Sequence, residues 1–563
     1  MNNRILLYII VWLIGAIILP IILQSGYIFA IDQALNTNGW IPKIGSNNYW
    51  IGLISQIFIY LSIPIWALEK LLVVMTFTLP VVGVYLYFKK YVELQSRWAL
   101  FYALSFSIFN PMLYSRFLDG QVNIYIFYAL FPLFIYFVKS FFTYKSLYSA
   151  LIVWLWSMLL VLTTLHATYF IFFVFLVFTL WNMWEIFREK QTLPTSIGFI
   201  IIFCIQLLWL IPLFTSPSEK VFSTVSQIEN FDSSQQSAFA NIPDNKNPYI
   251  EILSMRGYWG DYENRFVESH DIFNDGSKND WIYFIWLLIW VWLYYAFKNK
   301  IQDRYIFLAL WLLGFVLSLW VTNSTVFTPV NALLYDYLPY YVGFREPQKF
   351  VLLLIVSYIY FWYFGIIALW ELLQKCKIQK TVAGIVVLLC IMTPVLYNFN
   401  MFFGFRWQVS VQQYPEEWEE AKVYITENSC SDCEYDTLVF PWHWYMSISW
   451  TYKIVWAWIT RYFWEHVLYW DTIEIWNVYS SSTRAESSII EKYIWPNWVL
   501  KDGITDEKYI DFLSEIQNIG IQHIVLLKES DYLWYQNLLD DIRERDLLEI
   551  TLENSMIQIY TIK

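Results

Sequence analysis

The feature that most limits what this chain can fold into is a series of about eleven apolar blocks, each long enough to cross a bilayer. A spanning helix needs about 20 apolar residues, because each residue adds about 1.5 Å and the hydrocarbon layer is about 30 Å thick. The blocks cover residues 5–23, 69–88, 98–115, 121–139, 147–165, 167–187, 195–214, 281–297, 305–322, 349–372 and 381–399. The first block has no obvious cleavage site, so we interpret it as an uncleaved helix. The sequence therefore predicts an α-helical polytopic membrane protein.

The overall composition agrees with this class. Of the 563 residues, 58% are hydrophobic and only 15% are charged, whereas soluble domains carry about 25% charged residues. The net charge of −11 argues against nucleic acid as a partner, because such binding relies on clustered Lys and Arg. The lipid bilayer is the first partner that we predict.

The positions of Lys and Arg predict how the helices are oriented. Cytoplasmic connections of membrane proteins are enriched in these residues. With about eleven spans, the short basic connections fall on the same side as the N-terminus; their cations are Arg4, Lys89, Lys90, Arg97, Lys139, Lys145, Arg188, Lys190, Lys298, Lys300, Arg304, Lys375, Lys377 and Lys380. We therefore predict a multi-pass protein of the cell membrane with a cytoplasmic N-terminus.

The sequence divides into two predicted domains. Residues 1–404 form a multi-span membrane domain with outer loops at 26–68, 216–280 and 323–348, and residues 405–563 form a soluble extracytoplasmic domain. In the second part, the helix-like stretches Pro415–Thr426, Asp506–Ile519 and Tyr532–Glu544 alternate with the β-rich runs Thr437–Phe440, His523–Leu527 and Ile557–Ile562. This alternation predicts a small α/β or α+β domain.

Tryptophan is unusually frequent and glycine unusually rare. The sequence contains 32 Trp and 18 Gly, although Gly alone is typically about 7% of residues. Several Trp, such as Trp442 and Trp498, stand in turn-like contexts that favour Gly. We hypothesise that many of them are UGA codons that the source organism reads as glycine; the alternative is a truly Trp-rich, sugar-stacking domain. Trp418 and Trp534 lie on helical faces and are interpreted as authentic tryptophan.

Asp32 is the leading candidate for a catalytic group. It follows the apolar run 27–31 in the first outer loop. A carboxylate there is costly to dehydrate and can act as a general base or a metal ligand. The structural alternative is a helix N-cap or an interfacial acid that faces water.

A second cluster directly precedes the tenth block. Pro347 suits the first turn of the following helix, so Arg345 and Lys349 are predicted at a helix N-terminus, where phosphate binding is favoured. Arg offers a planar fork and Lys a point charge. Glu346 between them is a candidate for acceptor binding or support. The alternative is that the two cations snorkel at the membrane surface.

A third candidate set fills the turn between the third and fourth blocks. Arg116 and Asp119 lie in this turn. They could form a structural ion pair with each other, or face the same cavity as Asp32.

Three further polar residues are candidates for acceptor binding or support. His166 lies between the fifth and sixth blocks, where a structural hydrogen bond is the commoner role. Arg256 and Asp261 belong to the aromatic stretch 254–262 of the large outer loop. That stretch could line an acceptor groove or pack the loop on the membrane surface.

Known short motifs add little. Cys430 and Cys433 lie in the extracytoplasmic part, where a disulfide persists, and we interpret them as a local staple. The sequence lacks P-loop, HExxH, GxSxG and GxGxxG signatures. The missing P-loop argues against a pump driven directly by ATP.

Three segments of the membrane region, Tyr27–Asp32, Arg116–Gln121 and Phe344–Lys349, carry a likeness to a known superfamily. They resemble the first loop, second turn and pre-helix segment of large prokaryotic proteins of the GT-C superfamily of glycosyltransferases. This superfamily includes protein mannosyltransferases, oligosaccharyltransferases and arabinofuranosyltransferases. Its members have many membrane helices and take a sugar from a polyprenyl-phosphate carrier.

The resemblance implies a role for each matching residue. Asp32 would be the catalytic base or the acid that positions the acceptor. Arg345, Lys349 and Arg116 would hold the carrier phosphate and stabilise the charge that develops on it as it leaves. The paired first-loop acids and the Trp-Trp-Asp motif of oligosaccharyltransferases are missing, so the resemblance leaves the metal ligands and any divalent cation open.

The predicted function is therefore transfer of a sugar from a polyprenyl-phosphate carrier to an envelope glycan, lipid or protein on the outer face. The first alternative is a transporter or flippase-like protein for lipid-linked substrates, which would place charged residues near the membrane midplane. The second is a non-catalytic envelope assembly factor, in which Asp32 could be replaced without loss of function.

Overall fold

The computed structural model describes most of the membrane region and of the C-terminal region. The described residues are 3–33, 49–92, 94, 96–164, 166–188, 242, 246–262, 266–267, 281–299, 301, 303–319, 326–327, 329–330, 333–334, 346–430, 435–443, 445–463, 466–470, 474–475, 478–479, 485–494 and 506–563. The predicted span 195–214 and most of the predicted outer loop 216–280 lie outside these residues.

Within the described ranges, five helices are long and apolar enough to cross a membrane. They are Arg4–Ile22, Ile65–Val92, Val122–Tyr144, Pro347–Lys375 and Lys380–Tyr397. Shorter apolar helices cover Trp50–Tyr60, Leu147–Thr163, Ala167–Asn182 and Arg304–Ser318. The chain is thus a mostly helical membrane protein, as predicted, while the count of about eleven spans stays a prediction.

The helices of the membrane region follow most of the predicted blocks. Their bounds are Asn3–Ile22, Tyr49–Tyr60, Ile65–Tyr87, Arg97–Phe106, Pro111–Leu118, Val122–Tyr144, Leu147–Thr163, Ala167–Arg188, Pro248–Leu253, Trp281–Lys298, Arg304–Ser318, Val351–Lys375 and Lys380–Tyr397. Of the five long apolar helices, the one that contains Val351–Lys375 is the most enclosed, and it packs against Trp281–Lys298 and Arg304–Ser318. It therefore forms the centre of the described bundle.

The predicted span 98–115 is wrong as one continuous helix. The structure has two short helices, Arg97–Phe106 and Pro111–Leu118, with a break between them. Asn110 caps the second helix by accepting a hydrogen bond from the Leu113 N–H at 2.9 Å. The proline after this cap has no N–H to donate, so it suits a first helical turn and not a helix interior.

Lys139, one of the cations used to predict orientation, is not a loop residue. Its ammonium forms an ion pair with Asp303 at 2.6 Å, and the Tyr87 hydroxyl donates to the same carboxylate at 2.9 Å. Lys139 and Asp303 are both buried. The position of Lys139 therefore reflects this pairing, and the orientation stays a prediction from the other cations.

The strands of the described residues are β1 Tyr27–Phe29, β2 Ser410–Gln412, β3 Thr437–Phe440, β4 Tyr445–Ile448, β5 Lys453–Trp456, β6 Val467–Leu468, β7 Glu474–Ile475, β8 Val478–Tyr479, β9 His523–Leu527, β10 Leu548–Glu553 and β11 Ile557–Ile562. The C-terminal region contains a five-stranded sheet in the order β10-β11-β9-β3-β6. The helices of this region are Glu416–Asn428, Ala485–Ile494, Asp506–Asn518 and Tyr532–Glu544. β3 is parallel to β6 and β9, whereas β11 is antiparallel to β9 and β10.

Both faces of this sheet are covered. Leu438 and Phe440 of β3 belong to one apolar core, and Val439 between them belongs to the other. Side chains of a strand alternate between the two faces, so a strand that is buried on both faces is apolar throughout. This explains why residues 438–440 of β3 are all apolar.

The predicted first outer loop, residues 26–68, is joined to the C-terminal region by a small sheet. β1 pairs antiparallel with β2, with Ile28 opposite Val411. Tyr27 and Phe29 belong to a core of the C-terminal region, whereas Ile28 belongs to the core of the membrane region. Because β1 is packed on both sides, the loop that carries Asp32 is held between the two regions.

The chain leaves the last membrane helix through a left-handed turn. Residues 403–407 all have φ between 54° and 66°, which costs about 1–2 kcal/mol for each residue other than glycine. Trp407 is 71% exposed and packs little, so this position fits the hypothesis of a recoded glycine. Trp442, in contrast, is buried and packs on Trp470 with ring centroids 5.7 Å apart, a contact that glycine cannot make.

Cys430 forms a disulfide bond, as expected of the predicted pair. Its predicted partner, Cys433, lies outside the described residues. Cys376 and Cys390 of the membrane region are free thiols.

Candidate functional site

Asp32 lies half-buried in the turn that follows β1. Its backbone N–H donates to the Asp119 carbonyl at 2.9 Å. The Gln121 amide donates to one carboxylate oxygen at 3.1 Å, and the Tyr445 hydroxyl donates to the other at 3.2 Å. Because each oxygen has its own donor, the carboxylate is held in one orientation.

A tight turn brings Gln121 to Asp32. Gly120 in this turn has φ +73°, a left-handed conformation that favours glycine. A Cβ at Gly120 would lie 2.5 Å from the Cβ of Gln33 in the first outer loop. Glycine therefore allows the turn to pack directly on the loop that carries Asp32.

Arg116 lies fully buried next to Gln121. Its guanidinium donates to the Glu346 carboxylate at 2.7 Å and to the side-chain oxygens of Gln121 and Gln348. The guanidinium carbon lies 3.9 Å from the centroid of the Tyr258 ring, in a cation–π contact. A planar group with several fixed donors suits this many partners, which the flexible ammonium of lysine does not.

Lys349 is the next charged residue in contact with Glu346. Its ammonium lies 3.5 Å from the Glu346 carboxylate and 3.4 Å from Nε2 of His166. The Thr164 hydroxyl lies 2.8 Å from Nδ1 of the same ring. His166 is thus held by a hydrogen bond on one side and by the cation on the other.

The helix start predicted for the phosphate site is present. A 3-10 turn, Pro347–Phe350, continues directly into the helix Val351–Lys375. Lys349 lies in this turn. The other predicted phosphate-binding cation, Arg345, lies outside the described residues.

Residues of the predicted large outer loop contact Glu346 and the helix that carries Arg116. The Trp259 indole N–H donates to Glu346 at 3.3 Å. The Asp261 carboxylate accepts hydrogen bonds from the Tyr258 N–H at 3.1 Å and from the Ser115 hydroxyl. Burial raises the pKa of Asp261 to about 6, and the hydrogen bond from Ser115 opposes the shift.

Arg256 and Asp261 belong to the same predicted stretch and contact different side chains. The Arg256 guanidinium pairs with Glu251 at 2.9 Å, and the Tyr262 hydroxyl donates to the same carboxylate at 3.0 Å. Arg256 thus ties together two parts of its own loop, whereas Asp261 contacts the helix that carries Arg116 through Ser115.

Arg116 and Asp119 do not form the ion pair that was one of two predictions for their turn. Arg116 pairs with Glu346 instead. The Asp119 carboxylate points at Gly260, where a Cβ would lie 2.9 Å from its oxygen. The second prediction, that both residues face the same cavity as Asp32, stays a prediction.

Most of the predicted residues thus belong to one network of contacting side chains. In order, the members of this network are Asp32, Gln121, Arg116, Glu346, Lys349 and His166. Sequence reasoning missed the neutral side chains that connect it, namely Gln121, Gln348 and Tyr258. Gln121 and Gln348 lie in segments that carry the family likeness, and Tyr258 lies in the aromatic stretch, but nothing in the sequence distinguishes these neutral side chains from their neighbours.

Glu69 is a supporting carboxylate that sequence reasoning also missed. It is buried in the helix Ile65–Tyr87 and accepts hydrogen bonds from the Ile28 N–H at 2.7 Å and the Gln33 amide at 3.2 Å. Glu69 thus holds both ends of the segment around Asp32. An acidic residue inside an apolar block is a functional signal by itself, and it was available here.

Metal binding has no support in the part of the chain that the structure describes. There, no group of three or more His, Cys, Asp or Glu side chains is placed to hold a metal ion. Asp32 has hydrogen-bond donors from Gln121 and Tyr445 on its two oxygens, which suits a base or a positioning acid. A divalent cation therefore stays open, as the sequence left it.

Comparison with known proteins bears on the fold. No family model matches the sequence, and no curated protein matches it. Among solved structures, the cryo-EM structure of the arabinofuranosyltransferase AftD from Mycobacteria is similar, with a TM-score of 0.55 and 10% sequence identity. The similarity covers 100% of this chain and 40% of that chain. The chain thus has a fold like that of AftD, and its place in the GT-C superfamily stays a prediction.

Proposed function

We propose that this protein is a membrane glycosyltransferase that moves a sugar from a polyprenyl-phosphate carrier to a hydroxyl of an envelope glycan, lipid or protein. The observation that carries the proposal is that Gln121 connects Asp32 to the Arg116–Glu346–Lys349 ion cluster. Glycosyl transfer needs a base at the acceptor and cations at the leaving phosphate. The fold shared with an arabinofuranosyltransferase supports the same class.

The transfer forms one bond and breaks one. The acceptor oxygen bonds to the anomeric carbon of the sugar while the bond from that carbon to the phosphate oxygen breaks. Asp32 takes the acceptor proton as a general base. The electron pair of the broken bond leaves with the carrier phosphate, whose charge Lys349, Arg345 and Arg116 stabilise.

Glu346 has a defined part in this arrangement. Its carboxylate lies between Arg116 at 2.7 Å and Lys349 at 3.5 Å, so it prevents the two cations from repelling each other. The carboxylates of Asp32 and Asp119 also lie near this cluster. A carrier phosphate would therefore depend on Lys349 and the predicted Arg345 for its cations.

A transporter for lipid-linked substrates is the second candidate. Glu69 and Lys139 are buried charged residues within membrane helices, and Lys139 pairs with the buried Asp303. Such groups are typical of transport pathways. Both have structural partners, however, since Glu69 holds the backbone of Ile28 and Lys139 is paired at 2.6 Å. The oriented carboxylate of Asp32 favours chemistry over transport.

The test is donor turnover by the full-length protein reconstituted in membranes. A panel of labelled polyprenyl-phosphate sugars is supplied with an envelope extract as acceptor source, and wild type is compared with Asp32→Asn. Loss of a general base typically lowers the rate about 10²–10⁴-fold, so we expect Asp32→Asn to be nearly inactive. Glu515→Gln is the matched control, because Glu515 is a distant acid of the C-terminal region that pairs with Lys492.

Three outcomes separate the candidates. Turnover by wild type and Glu515→Gln but not by Asp32→Asn supports the proposal. Equal turnover by all three proteins removes Asp32 as the base. No turnover of any donor, combined with movement of a labelled carrier lipid across the bilayer, supports the transporter instead.

A further inference from the structure

A hairpin of the C-terminal region, formed by β4 and β5, reaches the candidate site. The strands pair antiparallel, with Met446 opposite Val455 and Tyr445 opposite Trp456. Met446 and Val455 are buried in a core of the C-terminal region. Cross-strand partners share a face and successive pairs alternate, so Tyr445 and Trp456 share the opposite face of the hairpin.

Two hydrogen bonds connect this hairpin to the first outer loop. The Trp456 N–H donates to the Ile31 carbonyl at 3.0 Å. The Tyr445 hydroxyl donates to Asp32 at 3.2 Å. Since Tyr445 and Trp456 are cross-strand partners, the backbone contact at Ile31 fixes where the phenol lies.

The hairpin also brings a cation, Lys453, near the turn that holds Asp119. Burial lowers the pKa of Lys453 in β5, and the nearby Asp119 carboxylate opposes that shift. An ammonium is desolvated in this way only where other groups cover it. The start of β5 therefore lies close to the turn that supplies the carbonyl partner of Asp32.

Asp32 depends on two donors for its orientation. The terminal torsion of an aspartate is broad and prefers no single angle strongly. Gln121 holds one oxygen and Tyr445 the other. Gln121 belongs to the membrane region. The second donor, Tyr445, belongs to the C-terminal region and is 413 positions away from Asp32 in the sequence.

We propose that Tyr445 is a positioning residue that the C-terminal region supplies to the transferase site. Its hydroxyl holds the Asp32 carboxylate in the orientation that receives the acceptor proton. The inference rests on the proposed function. It means that the C-terminal region completes the site and does more than stabilise the membrane helices.

The test compares two tyrosine-to-phenylalanine substitutions in the same hairpin. Tyr445→Phe keeps the ring and removes only the hydroxyl that contacts Asp32. Tyr452→Phe is the matched control, because Tyr452 lies in the hairpin turn and is 84% exposed. Both variants are assayed in the full-length reconstituted protein with the donor that wild type uses.

We expect Tyr445→Phe to lower kcat about tenfold, the effect of one hydrogen bond to a charged group. The KM for the donor should stay within about twofold. The reason is that the proposed phosphate site at Lys349 is connected to Asp32 through Gln121, Arg116 and Glu346. Tyr452→Phe should match wild type in both constants. All three proteins should have the same thermal unfolding midpoint.

Each contrary outcome has a distinct meaning. Wild-type kcat in Tyr445→Phe, together with an inactive Asp32→Asn, overturns this inference and leaves the proposed function standing. A drop in kcat that comes with a lower unfolding midpoint in Tyr445→Phe alone assigns the hydroxyl a structural role and also overturns it. Absence of donor turnover by wild type overturns the proposed function, and this inference with it.

Discussion

The ion pair between Arg116 and Glu346 should make the largest single contribution to stability in the site. Arg116 is 0% exposed, and its guanidinium lies 2.7 Å from the Glu346 carboxylate. Removal of one partner of a buried ion pair typically costs about 3–5 kcal/mol, because the other charge stays buried without compensation. In Arg116→Met the carboxylate keeps Lys349 at 3.5 Å, so we expect the lower end, about 3 kcal/mol.

A double-mutant cycle separates this pair from its surroundings. Glu346→Gln leaves Arg116 and Lys349 as two cations without their shared anion, so its cost should be at least as large, about 3–5 kcal/mol. The double variant Arg116→Met, Glu346→Gln removes both charges. It should cost about 1–3 kcal/mol less than the sum of the single variants.

The free energies of unfolding are measured on the full-length protein in mixed micelles, by titration with SDS and tryptophan fluorescence. A parallel cycle on Lys492 and Glu515 is the control. That pair is also close, at 2.6 Å, but is exposed to water, and exposed pairs couple weakly. Additive effects of Arg116→Met and Glu346→Gln, as in the control cycle, would refute the argument that burial makes this pair strong.

Two further predictions follow from the loop and from the left-handed turn. The pKa of Asp261 is raised to about 6 from its ordinary value of 3.8; its contribution to stability is therefore fully present below the ordinary value and is lost as the pH rises through about 6. Asp261→Asn should flatten this part of the curve of thermal unfolding midpoint against pH, and an unchanged curve would contradict the assignment. Trp407→Gly should raise the free energy of unfolding by about 1 kcal/mol, because glycine adopts a φ of 63° without strain. Trp418→Gly, at a fully buried position, should lower the free energy of unfolding by about 3 kcal/mol or more. A larger loss of stability in Trp407→Gly than in Trp418→Gly, or a UGG codon at position 407, would count against a recoded glycine at position 407.

Local sequence patterns determined the class of the protein and most of its elements. The predicted runs Thr437–Phe440, His523–Leu527 and Ile557–Ile562 are strands with those bounds, and Tyr532–Glu544 is a helix with those bounds. Such elements can be predicted because apolar periodicity and length are properties of a short segment. Hydropathy alone failed at 98–115, where the segment is mainly apolar but Asn110 and Pro111 start a new helix.

The charged members of the site could also be found in the sequence. Asp32, Arg116, Glu346 and Lys349 are ionisable residues at the edges of apolar blocks, where burying a charge is costly unless it has a partner or a function. The position of a charge in the sequence identifies a candidate site residue but not the residue with which it pairs. The sequence left open whether Arg116 pairs with Asp119, and its ion pair is with Glu346.

Only the tertiary structure decided which residues meet. Arg116 and Glu346 are separated by 230 residues, and Asp32 and Tyr445 by 413. Contacts at such separations depend on how helices and strands pack, which no local pattern encodes, and a neutral residue such as Tyr445 gives no charge signal of its own. The sequence by itself determined a helical membrane protein with a set of candidate charges; packing decided that a hairpin of the C-terminal region contacts the carboxylate of the first outer loop.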